Sequence, residues 1–365
     1  MLGTRELEIN LGPQHPSTHG VLRVKLKLDG ETIVESDPVI GYLHRGCEKL
    51  GENRNYIQTE VYTDRMDYIA AINENLVYIE AVEKLLGVEA APRAQYMRVI
   101  LAELQRIASH LVWLATHALD IGAMSVFLYC FREREAILDL IEGYCGARLT
   151  TNAIRAGGMR LDFPDGWTGA AKDFCDEFPA RLKEYDTLLK TNRIWMGRTK
   201  DIGVISGEKA LSYGITGPCL RASGVNYDVR KAMPYEVYSE MEFDVPLGSV
   251  GDTYDRYLVR LEEMRQSRLI VLQALAKMPE GPVMNKVPKR IKPPAGEVYV
   301  VNEGPRGELG VYLVSNGTDT AERCRFKSPC FVNLQALPEL AKGHMVADIV
   351  ALIGTLDIVL GCIDR

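Results

Sequence analysis

The stretch LGPQHPSTHGVLR, residues 11–23, sets two of the chain's six histidines, His15 and His19, among two prolines and two glycines. Imidazole is the side chain whose ordinary pKa lies near neutrality, so a histidine here can donate a hydrogen bond or a proton. An H-x3-H pair grips zinc when both residues lie on one face of a helix. Pro16 and the flanking glycines forbid that helix, and no H-E-x-x-H occurs, so no metal site is expected. Two readings remain open. In one, the histidines hydrogen-bond to neighbouring backbone. In the other, Pro and Gly hold the loop rigid so that one imidazole points into a cavity. Two further groups carry chemistry. TDRMDYIAAINEN (63–75) places Arg65, Asp67 and Tyr68 at the opening of a helix-like stretch. Tyr68 is either a core residue with a satisfied hydroxyl or a donor. Asp120, in THALDIG, ends an otherwise apolar helix half, where a carboxylate caps a neighbour or pairs with a cation. His117 stands three residues earlier, on the same face.

The elements that must position these groups are legible in part. RELEINL (5–11) alternates, and VLRVKLKLDGETIVESDPVIG alternates on both sides of Asp29-Gly30, a hairpin signal. The histidine segment therefore joins a first strand to a hairpin. Helical patterns follow over 73–87, 91–122, 131–149, 174–190 and 254–278. The second half of 91–122 is apolar nearly all round, which predicts a central, buried helix. Residues 202–252 are glycine-rich and strand-poor, and 279–297 form a proline-rich loop. GEVYVVNEGPRGELGVYLVSNGT (296–318) reads as a second hairpin system, and the chain closes on a helix and a stop. Sheet pieces at the two ends with helices between give an α+β class. The expected organisation is one integrated domain: an N-terminal β region with the histidine loop (1–52), a mainly helical core (53–295), and C-terminal hairpins with a final helix (296–365).

Composition narrows the function. The chain has 365 residues, 47% of them hydrophobic, and a net charge of −6. An acidic balance argues against a nucleic-acid groove. MLGTRELEIN lacks the apolar core of a signal peptide, and Leu111–Leu119 and Ile349–Leu356 are too short to span a bilayer. The eight cysteines form no C-x-x-C pair, so free thiols in a reducing compartment are expected.

The motifs GPQHPSTHGVLR, IGYLHRGCEKL, YTDRMDYIAA, HALDIGAM, FRERE, SGVNYDVRK, FDVPLGSVGD, GELGVYLVS and DIVLGCIDR occur in this order. Together they resemble the quinone-site, 49-kDa-type subunit of NADH:quinone oxidoreductase (respiratory complex I), over essentially the whole chain. That family is similar to the large subunit of nickel–iron hydrogenases, which implies a hydrogenase large-subunit-like fold: a central helical bundle with small sheets near both ends. The four positions matching the hydrogenase metal cysteines are Asp67, Ala70, Val359 and Cys362. One thiolate cannot hold that cluster, so none of them is a metal ligand here. The resemblance implies instead a chamber for a lipid-soluble carrier, a quinone or methanophenazine. His19 and Tyr68 would bind its head group, with Asp120 backing His19 and linked to proton delivery. Arg45, with Arg155 as a secondary candidate, would lie near a [4Fe–4S] cluster in a neighbouring iron–sulfur subunit. The chain would bind no prosthetic group itself. Its partners would be that subunit, other peripheral-arm subunits, and a membrane-arm subunit beside the carrier channel. It would sit peripherally on the cytoplasmic face of the cell membrane, in an assembly that pumps ions. A scaffold subunit without a redox role is the alternative.

The chain departs from the family pattern in three places. Thr150, in RLTTNAIRAGG, stands where the family commonly has a histidine near the cluster. KRIKPP runs straight into AGEVYV, where many members carry a further helical segment. Cys47 and Cys362 replace the more usual non-cysteine residues, and both are expected as packed thiols. The first two departures fit either an archaeal relative using reduced coenzyme F420 or ferredoxin, or a bacterial menaquinone-type complex.

Overall fold

The computed structural model describes residues 6–365. Of the strand expected over 5–11, residue 5 lies outside the described residues; β1 spans Glu6–Leu11. It pairs antiparallel with β2 (Arg23–Asp29), which turns through Asp29-Gly30 into β3 (Thr32–Val39). Gly30 supplies the left-handed conformation of that turn, at φ 63°. Val24, Leu26, Leu28 and Ile33 point inward from this sheet. They share one core cluster with Leu352, Leu356, Leu360 and Ile363 from the far end of the chain. The first sheet and the last two helices are thus one packed body.

Helices fill the middle: α1 (Cys47–Asn53), α2 (Tyr56–Thr63), α3 (Ala71–Leu86), α4 (Pro92–Asp120), α5 (Met124–Cys145) and α6 (Trp167–Tyr185). The two-residue strands β4 (Ile154–Arg155) and β5 (Gly158–Met159) pair between α5 and α6. The long α7 (Thr253–Lys277) packs along α4. β6 (Gly296–Gly304), β7 (Gly307–Ser315) and β8 (Ala321–Lys327) make the second three-stranded sheet. α8 (Asp348–Leu356) and α9 (Leu360–Asp364) end the chain. This is an α+β fold with antiparallel sheets built near both termini. No helix among the described residues is long and apolar enough to cross a membrane.

Three details differ from the sequence expectation. The helix read over 131–149 begins at Met124 and stops at Cys145. Apolar SVFLYC extends it forwards, and Gly146 in the left-handed region closes it. The 174–190 helix begins earlier, at Trp167, and its end passes into a π turn, Asp186–Lys190. β8 is not legible in the sequence, because ERCR reads as polar. It pairs with β7 and turns Ala321, Cys324 and Phe326 inward, while Glu48 of α1 takes Arg325 and the Phe326 amide.

The central helix α4 is as buried as its apolar pattern predicts, but part of its buried face is ionic. Glu103, Arg106 and His110 recur along one face at helical spacing, all fully buried. Arg230 bonds Glu103 at 3.1 Å and Asp228 at 2.6 Å. Arg221 bonds Glu263 of α7 at 2.6 Å and Glu303 of β6 at 2.8 Å, and His110 meets Glu263 at 2.8 Å. Burial raises the cost of a charge on Glu263, yet Arg221 and His110 outweigh it and hold the carboxyl down to about 2. This network stitches α4, α7 and the second sheet together.

Candidate functional site

The histidine loop resolves its two open readings one residue at a time. His15 is exposed and caps the short 3-10 turn Pro16–Thr18; its Nδ1 accepts from the Ser17 amide at 3.2 Å. It has the backbone-bonding role. His19 sits at the end of that turn in the left-handed region, φ 52°, a conformation uncommon outside glycine. That geometry turns the ring away from the loop's own backbone, and Nε2 meets Asp120 Oδ2 at 2.8 Å. Gly12 lets the loop close: a Cβ there would lie 2.1 Å from the Leu22 carbonyl oxygen. Asp120 is the last residue of α4. A carboxylate at a helix C-terminus faces the negative end of the dipole and calls for a donor or a cation, and the His19 ring is the partner it finds. The pair is about 15% exposed on each side, partly dried yet reachable.

His117 does not join the pair. It is fully buried, stacked on Trp113 at 5.4 Å and edge-on to Trp195 at 5.3 Å. Burial, with His19 and Arg260 nearby, pushes its imidazole down to about 3, so it is neutral.

Tyr68 is not at a helix opening. Residues 64–70 form a chain of tight turns between α2 and α3, and α3 begins only at Ala71. Asp67 is drawn out of any helical role by Arg306, which bonds its carboxylate at 2.8 Å. The turn leaves Tyr68 40% exposed, and among the described residues its hydroxyl has no partner. The core-tyrosine reading therefore fails, and a free donor remains. Burial of part of the ring and the neighbouring Asp67 push its phenol up, so it stays protonated.

The short helix α9 brings these parts together. Leu360 packs under Gly20, next to His19, and Gly361 lies under the turn that carries Tyr68: a Cβ on Gly361 would stand 2.6 Å from the Met66 carbonyl oxygen. The Asp364 carboxylate accepts from the amides of Gly41 and Leu43 at 2.8 and 2.7 Å, which places the segment leading to Arg45. Arg45 donates to the Arg65 and Gly361 carbonyls at 2.8 and 3.1 Å and meets no carboxylate among the described residues. It is an exposed, uncompensated cation. Gln105 of α4 donates to the Ile69 carbonyl at 3.0 Å and ties the tyrosine turn to the helix that ends in Asp120. His19, Tyr68, Arg45 and Asp120 are thus held by one scaffold. Sequence reading misses Gly361 and Asp364 because their partners lie near the other end of the chain. Gly361→Ala is expected to push the Met66–Tyr68 turn outward and cost about 1–3 kcal/mol; an unchanged melting temperature and unchanged turnover would refute that packing.

Arg155 stands elsewhere. It pairs with Glu60 of α2 and borders an apolar cavity of about 220 Å³ formed with Tyr56, Val82, Met284 and Ile291. Burial pushes Glu60 up to about 8 despite Arg155. Thr150 is half-buried in the loop before β4. Cys47 and Cys362 are buried free thiols. Cys362 lies 2.9 Å from Ser328 Oγ.

What fold and site define is a helical α+β subunit with a histidine–carboxylate pair and a free phenol held on one scaffold, and an exposed arginine beside them. Comparison with known proteins gives that class its family. A model described as "Respiratory-chain NADH dehydrogenase, 49 Kd subunit" matches residues 120–293 and 286–365. A D-type subunit of NADH-quinone oxidoreductase from Solibacter usitatus is 58% identical over 364 residues, covering 100% of this chain and 98% of that protein. The corresponding subunit of Geotalea uraniireducens is 53% identical over 390 aligned positions, covering both chains fully. That of Bacillus anthracis is 51% identical over 365 positions, again covering both fully. The chain belongs to the family of the 49-kDa, or D-type, subunit of NADH-quinone oxidoreductase. The end-to-end match over 365 positions with the Bacillus protein means that a chain of this length is shared by a relative. All three relatives are NADH-quinone oxidoreductase subunits by name.

Proposed function

We propose that this chain is the quinone-site subunit of a complex I-type oxidoreductase, peripheral on the cytoplasmic side of the membrane. A [4Fe–4S] cluster in a neighbouring iron–sulfur subunit would supply the electrons. The observation that carries the reading is the His19–Asp120 pair with Tyr68 as a free donor on the same α9 scaffold. A quinone takes up two electrons and two protons. With Nε2 engaged by Asp120, the other ring nitrogen of His19, Nδ1–H, and the Tyr68 hydroxyl are the donors that stabilise negative charge as it develops on the carbonyl oxygens. Asp120 holds the His19 ring through Nε2 and sets a negative charge beside it. The exposed guanidinium of Arg45 suits a surface that receives a negatively charged centre and favours its reduced form. Arg155, half-buried beside Glu60, is the second cation offered to that neighbour. Which donor feeds the complex is left to the partners; NADH fits the relatives' names.

The test is Tyr68→Phe in the purified complex, with quinone and phenazine acceptors compared side by side and the cluster followed by EPR. Loss of one hydrogen bond of about 0.5–1.5 kcal/mol predicts turnover lowered by up to about tenfold with cluster reduction intact. Turnover equal to the parent across acceptor concentrations would overturn the head-group role and favour a scaffold without redox function.

A further inference from the structure

Beneath Tyr68 lies a second buried ionic cluster, separate from the His19–Asp120 pair. Arg306 is fully buried and bonds Asp67 at 2.8 Å, Ser109 at 2.8 Å and Asp357 at 3.2 Å. Arg260 approaches Asp357 at 4.0 Å. Glu74, in the first turn of α3, is the third carboxyl of the group and has no cation in contact among the described residues. Its Oε1 accepts from the Cys362 thiol, at 3.6 Å. Cys330 stands beside Cys362, and Arg365 is nearby but is engaged with Glu48 and the Phe326 carbonyl.

The count decides the protonation. Asp67 and Asp357 are matched by Arg306 and Arg260. Glu74 would be an unmatched charge in a dry interior, so it keeps its proton. Burial first, then Asp67 beside it, push Glu74 up to about 8, with partial relief from Cys362 and the arginines. A structural role alone is served as well by an amide, which bonds a thiol without storing a proton. Asp67 Oδ1 is buried and without a partner among the described residues, and the next residue in the chain is Tyr68. Asp67 thus lies near enough to act on both the Glu74 carboxyl and the Tyr68 phenol, with one carboxylate oxygen free to take a proton, although no hydrogen bond joins the three in this structure.

Resting on the quinone-site reading, we propose that Glu74 is the stored proton for the tyrosine side of the site. The quinone oxygen facing Tyr68 takes the phenolic proton as electrons arrive from the neighbouring cluster. Glu74 returns a proton to the phenolate through Asp67 and is left as a carboxylate, and solvent restores it between turnovers. His19 supplies the proton for the other oxygen, so two electrons and two protons are accounted for, and the only bonds made or broken are to hydrogen. Glu74 touches no substrate; it is a positioning residue for the proton.

The experiment is redox-induced infrared difference spectroscopy on the intact complex, oxidised against quinone-reducing, in the parent and in Glu74→Gln. The amide replaces a neutral carboxyl of the same shape, so packing is preserved. Expected are a carboxylic-acid carbonyl band that changes on turnover in the parent and is absent in the variant, and kcat lower by about tenfold or more with KM and the cluster's EPR signal unchanged. No carboxylic-acid band change in the parent, or a variant kcat within about twofold of the parent, overturns the proposal. The two readings fail separately: Tyr68→Phe lowers turnover if only the Glu74 role is wrong, and changes nothing if the quinone site itself is wrong.

Discussion

Asp120→Asn is expected to lower quinone-dependent turnover by about 10²–10⁴-fold while leaving electron entry into the neighbouring cluster intact. The amide still reaches His19 Nε2 across the 2.8 Å gap, so the ring keeps its place. What disappears is the negative charge beside the His19 ring at the C-terminal end of α4. His19→Ala should act in the same direction, and the double variant should lose little more than either single one, because the two residues work as a unit. Additive losses in the double variant would mean that each acts alone and that the pair is not a relay. The measurement is steady-state quinone reduction with the cluster followed by EPR in the same samples.

The second large effect concerns folding. Glu263→Ala is expected to destabilise the chain by about 3–5 kcal/mol, since it leaves Arg221 short of one carboxylate and His110 without its partner in a fully buried network. Glu263→Gln should cost less, because the amide still bonds. The pH dependence follows from the sign of the shift. Glu263 is held down to about 2 in the fold, below its ordinary carboxylate range. Its contribution is therefore fully present above the unfolded pKa and is lost as pH falls through the folded one. Acid unfolding of the parent should include this component between about pH 4.5 and 2, and the Ala variant should lack it. An Ala variant with the parent's melting temperature at neutral pH would show that the network is worth no more than apolar packing.

These two sites show how unevenly the sequence speaks. Asp120 is visible because a carboxylate closing an apolar helix half demands a partner, and His19 because proline and glycine around a histidine exclude regular structure. Glu263 and its partners are not visible. YDRYLVRLEEMRQSRL reads as an ordinary amphipathic helix, and nothing in its spacing says which of its charges turn inward towards Arg221 and His110. The departures from the family pattern are legible as residue types, but Thr150 and Cys362 acquire surroundings only in the fold. Cys362 in particular becomes interesting through Glu74, 288 residues before it.

What the sequence by itself determined is local: the Asp29-Gly30 hairpin, the long buried helix ending at Asp120, the second hairpin after Gly296, and a histidine loop that can be neither helix nor central strand. Each follows from periodicity, from the φ that glycine permits, or from the donor that proline lacks. The motifs in order added the family. Only the tertiary structure decided that His15 caps a turn while His19 reaches Asp120, that Tyr68 leaves the helix and stays exposed, and that Gly361 and Asp364 place the His loop, the tyrosine turn and Arg45 on one short helix. The reason is physical. A side chain's protonation and its partner are set by the charges and the dryness around it, and those come from residues distant in the chain that packing alone brings within about 3 Å.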